Sequence, residues 1–124
     1  MKNANALNWF EIYVADMSRA RKFYEAILQA PMPESNYGPR PMAMFPFDMG
    51  KGVGGSLITM DVVPPGPGGT LIYLNVDDDL DGVIARIPAA GGRVLQPRLS
   101  IGEHGFIAIF KDSEGNVVGL HSTK

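Results

Sequence analysis

The sequence predicts an α+β fold in which two βαβββ modules follow one another and pair their sheets into an incomplete mixed β-barrel. Three observations predict it. The apolar residues pass from a strand pattern into a helix pattern twice, first over residues 9–28 and again over 70–87. Between these stretches stands Val62-Val63-Pro64-Pro65-Gly66-Pro67-Gly68-Gly69, which can neither continue a ladder nor form a helix. Finally, a single offset of 62 positions carries Trp9 to Leu71, Val14 to Val76, Asp16 to Asp78, Gly55 to Val117, Leu57 to Gly119 and Thr59 to His121. The whole chain, 1–124, then reads as one domain with a first module over about 7–61, a linker over 62–69 and a second module over about 70–122.

Each element has a local cause. Trp9 to Val14 is an aromatic and β-branched run, and Asp16 behind it can cap the amides that open a helix. Ala20, Phe23, Tyr24, Ile27 and Leu28 make the apolar stripe of that helix, with charged residues between them, and Pro31 and Pro33 end it. Ser35 to Arg40 reads as a turn-rich loop. Met42–Phe47 and Val53–Met60 read as strands joined by a glycine-containing turn. In the second module Thr70–Val76 is a strand, and Asp78 or Asp79 can cap a helix carrying Leu80, Val83, Ile84 and Ile87. Pro88 predicts a kink or an early end before Gly91-Gly92. Arg93–Leu99, Phe106–Phe110 and Asn116–His121 are the last three strands, with Asp112 to Asn116 as a tight hairpin turn.

Composition narrows the function classes. The 124 residues are 45% hydrophobic and 19% charged, enough for a core without a staple. With no cysteine there is no thiol nucleophile, Fe–S cluster or zinc–thiolate site, and the composition fits a reducing, cytoplasmic setting. Eleven basic and 13 acidic residues are scattered rather than blocked, so neither nucleic acid nor an anionic membrane is an expected partner. No run of apolar residues is long enough to span a bilayer, and Met1 to Leu7 carries no targeting pattern.

Strand parity divides the sheets into two faces. Phe10, Ile12 and Val14, with Ile72, Leu74, Val76, Val118 and Leu120, form aliphatic faces suited to lie under helices. Trp9, Glu11 and Tyr13, with Leu71, Tyr73, Asn75, Gly119 and His121, then line the opposite side, an aromatic and sparsely polar wall for a partly apolar small molecule.

Residues 9–28, WFEIYVADMSRARKFYEAIL, resemble the opening of the glyoxalase, bleomycin-resistance and extradiol dioxygenase proteins, the vicinal oxygen chelate superfamily. So do YLNVDD (73–78), AAGG (89–92) and FKDSEGNVVGL (110–120), and the resemblance covers nearly the whole chain. It implies a homodimer and, for the metalloenzymes of the superfamily, a divalent cation held by His, Glu or Gln on the first and last strand of each module. Carried over, those positions are Trp9, Leu57 (or, with a slip of one, Ser56), Leu71 and Gly119. These residues predict no metal and no other cofactor, which argues against lactoylglutathione lyase or dioxygenase chemistry.

Glu11 and His121 are the sharpest remaining pair: within reach of each other, the carboxylate would orient the imidazole as a base or as a cation for an anionic ligand. His104, in a glycine-flanked turn, is a candidate rim residue, and Tyr13, Tyr73 and Asn75 are candidate ligand-orienting groups. Arg40 and Arg98 read as solvated loop charges, and Gly50 to Gly55 as a hairpin turn rather than a phosphate loop, because a strand follows it. Met42, Met44, Met49 and Met60 suit adaptable packing. Two functions follow: small-molecule binding without a metal, or isomerase or lyase chemistry on a small carbonyl compound with Glu11 or His121 as base. A third reading is a dimer without a ligand.

Overall fold

The computed structural model describes residues 3–36, 40–59, 64–77 and 79–124. The chain forms two compact units: Trp9–Thr70, and the residues up to Asn8 together with Leu71–Lys124.

The first module runs β1 (Leu7–Tyr13), α1 (Met17–Leu28), β2 (Glu34–Ser35), β3 (Met42–Met44) and β4 (Gly54–Ile58). Its strands lie in the order β2-β3-β4-β1, with β4 parallel to β1 and the other pairs antiparallel. Asp16 caps α1 as its side chain predicts, accepting a hydrogen bond from the Arg19 N–H at 3.0 Å. Gln29 closes the helix in the left-handed region at φ 52°, two residues before Pro31. The short β2 has no signal in the sequence pattern; its second residue, Ser35, opens the segment expected to be a loop, of which residues 37–39 lie outside the described residues. Strands β3 and β4 are shorter than expected, and the turn between them closes through the Asp48 carbonyl, which accepts from Lys51 N at 3.1 Å and Gly52 N at 2.8 Å. Of the linker, 62 and 63 lie outside the described residues, as do Met60 and the alternative cap Asp78. Its end is tied to β1, where the Tyr13 N–H donates to the Gly69 carbonyl at 2.8 Å.

The second module repeats the plan: β5 (Thr70–Asn75), α2 (Leu80–Ala90), β6 (Arg93–Ser100), a 3-10 turn (Gly102–His104), β7 (Phe106–Lys111) and β8 (Val117–Ser122). Its strand order is β5-β8-β7-β6, again with the last strand parallel to the first. Both modules are therefore βαβββ units of an α+β fold. Pro88 sits in the last turn of α2, where the helix carries on for two residues before Gly91 ends it at φ 103°. At the β7–β8 turn the Asp112 carboxylate accepts from the N–H groups of Glu114 and Asn116 and from the Asn116 amide, and Gly115 takes φ 85°.

Each module has its own core. Under α1, Met32, Ala43 and Leu57 are fully buried and pack with Ile12, Val14, Met17, Ala20 and Tyr24. Under α2, Val76, Leu80, Ile87, Ala108 and Leu120 do the same, with Leu74, Val83, Phe106 and Phe110 against them. The predicted α1 stripe is only partly correct. Phe23 and Ile27 are 57% and 58% exposed and Leu28 is exposed too, because the face turned to the sheet runs through Met17, Ala20 and Tyr24.

The internal repeat also needs a correction of one residue. Val14 N–H donates to Ile58 O at 2.9 Å, and its counterpart Val76 N–H donates to His121 O at 3.0 Å. The offset is thus 62 between the first strands but 63 between the last, and it is also 63 between the helix-cap positions Asp16 and Asp79.

Candidate functional site

The cores fix which sheet face each module leaves free of its helix. In the first module, registry sets Trp9 beside Gly54, Glu11 beside Ser56 and Tyr13 beside Ile58, with Met42 and Met44 next along β3. Leu57 points the other way. The carried-over pattern puts it on the ligand wall, but it is a core residue under α1, and Ser56 holds the position instead, since a slip of one residue exchanges the faces of a strand. The aromatic floor is built around glycine: a side chain at Gly54 would overlap the Phe47 ring, and Phe47 meets Trp9 edge to face at 6.1 Å between centroids.

Two polar side chains lie buried on this face. Glu11 is 6% exposed, and Ser56 is 0% exposed with an Oγ that makes no hydrogen bond. Tyr13 is buried as well. Desolvation first, and then the negative charge of Glu11, push its phenol far above the usual tyrosine range, so it stays a neutral hydroxyl.

In the second module Tyr73 stands beside Gly119 and Asn75 beside His121, with Ile109 and Ile107 next along β7. Leu71 and Tyr73 are buried. Gly119 is on the predicted face, but the Tyr73 ring covers it so closely that any Cβ there would overlap the ring. Farther out, Leu99 pairs with Ile107 and Gln96 with Ile109. Leu99 is 45% exposed and Leu95 is exposed too, so this helix-free surface is apolar and only partly covered.

His121 and Asn75 are engaged elsewhere. Asn8 Nδ2 donates to His121 Nδ1 at 2.9 Å, and His121 Nε2 lies 2.7 Å from the His104 carbonyl, to which it must donate. Both ring nitrogens thus have protein partners. His121, the residue expected as a base, links the N-terminal segment to the 102–105 turn in this structure. The Asn75 amide donates to Asn5 O at 3.2 Å and accepts from Asp77 N at 3.1 Å, while its backbone bonds Ala6 O and Asn3 Nδ2. It ties down the segment that holds Asn3, Asn5 and Ala6. Sequence reasoning missed this asparagine-rich segment, whose one signal was Asn at positions 3, 5 and 8.

His104 lies exposed on the 3-10 turn, 3.7 Å from Glu103. Arg98 bonds Asp81 at 3.1 Å and stacks over Phe106 at 3.9 Å, which makes it a surface tie. Arg40 reaches the Thr59 carbonyl at 3.4 Å. Among the described residues no three His, Cys, Asp or Glu side chains gather as a metal site. The positions carried over from the metalloenzymes are Trp9, Ser56, Leu71 and Gly119. Their donor set amounts to one neutral hydroxyl, which does not fit a divalent cation.

A pair of βαβββ modules, each with a helix on one face of a four-stranded mixed sheet, defines the class. Residues 6–120 match the profile of the Glyoxalase/Bleomycin resistance protein/Dioxygenase superfamily, and the chain belongs to that family. It is 30% identical over 118 residues to a Mycobacterium bovis protein named "Putative glyoxylase CFP32", and equally to that of Mycobacterium tuberculosis. The match covers 91% of this chain but 44% of those relatives, so the chain spans less than half of their length. Among solved structures, methylmalonyl-CoA epimerase from Mycobacterium tuberculosis is similar with a TM-score of 0.64 at 18% identity, covering 100% of this chain and 93% of that one. A variant of the Streptomyces coelicolor epimerase in complex with 2-nitronate-propionyl-CoA gives 0.63 at 19%, covering 95% and 96%. At such identities the likeness is one of fold.

Proposed function

We propose that the protein binds a small, partly apolar organic molecule on the helix-free face of its sheets, without a metal. The observation that carries this reading is the second-module face, where Leu99, beside Ile107, is 45% exposed and Leu95 on the same strand is 42% exposed. Apolar area left in water gains roughly 25 cal/mol per Å² when a ligand covers it, and few polar groups compete there. A soluble, cytoplasmic homodimer is the setting that the sequence suggests. The test is a thermal-shift screen of small aromatic and aliphatic compounds. Hits should raise Tm in the wild type and lose that effect in Leu99→Glu, since selective binding to the folded state stabilises it. A Leu99→Glu protein that still responds would sink the reading.

One observation favours a second reading. Glu11 is a buried carboxylate whose charge is felt at Tyr13, a placement suited to moving a proton on a small carbonyl compound, in an isomerase or lyase reaction. With His121 locked between Asn8 and His104, Glu11 is the base this reading requires. Glu11→Gln tests this second reading: turnover of a small carbonyl substrate should be lost when the carboxylate is gone, whereas a protein that only binds shows no turnover in either form.

A further inference from the structure

Ser56 is held in the middle of β4 with its hydroxyl fully covered and unbonded, beside the Glu11 carboxylate on β1. Burying a hydroxyl without a partner is unfavourable, and an alanine of nearly the same shape would avoid the penalty. Besides Tyr13 and Tyr73, three polar side chains are buried among the described residues: Glu11, Ser56 and Ser122. Ser122 is satisfied by the Lys124 backbone, donating to its carbonyl at 3.1 Å and accepting from its N–H at 3.2 Å. Ser56 is the one left waiting.

We propose that Ser56 and Glu11 together form the polar subsite of the first module, and that it takes the hydroxyl of an alcohol carried on an apolar, ring-sized body. This rests on the binding reading above and gives it a ligand class. The chemistry selects the group. Ser56 can donate to a ligand oxygen, and a carboxylate has lone pairs for more than one donor, so the ligand's own O–H can be given to Glu11. An alcohol does both at once. A ligand carboxylate would face Glu11 as a like charge, and a hydrocarbon would leave Ser56 unbonded. The body is matched by the Trp9 and Phe47 rings over Gly54 on the same face, which meet edge to face and offer an aromatic surface next to Ser56. Because Ser56 is fully covered, entry requires its neighbours to move. Met44, opposite it on β3 and half-buried, is an unbranched thioether of the kind that repacks round a guest.

The experiment measures Kd for benzyl alcohol, toluene and benzoate, by ligand-dependent Tm, in the wild type, Ser56→Ala and Ser56→Cys. The wild type should prefer benzyl alcohol to toluene by about fivefold, the worth of one net hydrogen bond, and should reject benzoate. In Ser56→Ala the preference should shrink, because only the bond to Glu11 remains, while the Tm of the free protein rises by a few degrees; in Ser56→Cys, a weak donor, the preference should fall between. An alcohol preference undiminished in Ser56→Ala, or benzoate bound as well as benzyl alcohol, overturns the subsite. Toluene and benzyl alcohol bound equally by all three proteins would overturn it too, yet leave the broader binding reading standing. No response to any of the three compounds would count against both.

Discussion

Leu57 and Ser56 are neighbours in sequence with opposite fates, and the contrast can be measured. Leu57 is fully buried among Met32, Ala43 and Ile12, so Leu57→Ala should cost about 2–5 kcal/mol in urea unfolding. A side chain on a ligand wall would cost far less, so an effect under about 1 kcal/mol would return Leu57 to the wall that the carried-over pattern assigns it. The reason for the error is local. Gly54 and Gly55 show no parity, and Leu57 and Ile58 are both apolar, so only pairing with β1 decides which side faces the helix. Gly119 is a second residue-scale case. Its missing Cβ makes room for the Tyr73 ring, so Gly119→Ala should destabilise by about 1–3 kcal/mol, and most of that penalty should disappear when Tyr73→Ala is added. Two costs that simply add would show that the ring is not the obstacle.

Among elements, α1 is where pattern and structure part. A helix turns about 100° per residue, so Phe23 lies roughly that far round from Tyr24, and here the sheet covers Tyr24 and leaves Phe23 outside. The sheet takes Met17, Ala20 and Tyr24, and Phe23 and Ile27 stay in water. Periodicity reports an amphipathic helix correctly but cannot say where the centre of its apolar arc will settle. Phe23→Ser and Ile27→Ser should therefore shift stability by only about 0.5 kcal/mol each, whereas Tyr24→Ala should cost several times more by chemical denaturation. The helix ends are more legible, because a cap is a short-range interaction. Asp16 bonds the Arg19 amide, and Asp16→Ala should cost about 1 kcal/mol. Asp79 holds the same place before α2 but makes no cap bond; its carboxylate pairs with Arg86 at 2.7 Å instead.

For the molecule as a whole, what can be read from the sequence is what depends on near neighbours: two βαβββ modules, their turns, and most of each sheet face. What stays hidden depends on distant partners. Asn8 and His121 lie 113 positions apart, and no local pattern announces that one consumes the ring of the other. The same distinction governs how the protein should respond to acid. Asp77 carries a carboxyl held below the usual range, chiefly by the Thr123 backbone N–H donating at 2.7 Å, which fastens the end of the chain to the start of the second module's helix region. Asp112 is lowered too, chiefly by the Asn116 side chain, but within a local, exposed turn. For both groups the folded value lies below the unfolded one, so the unfolded chain binds more protons and stability rises with pH. The contribution is complete above the unfolded carboxyl value of about 3.9 and is lost as pH falls through the folded values beneath it. Tm followed from about pH 6 down to about pH 2 should thus hold and then drop. In Asp77→Asn the drop should be shallower and the starting Tm lower, because the charge that strengthens the Thr123 tie is gone at every pH. Asp112→Asn, its turn solvated throughout, should shift the curve less, and an Asp77→Asn profile superimposable on the wild type would show that the long-range tie contributes nothing to folding.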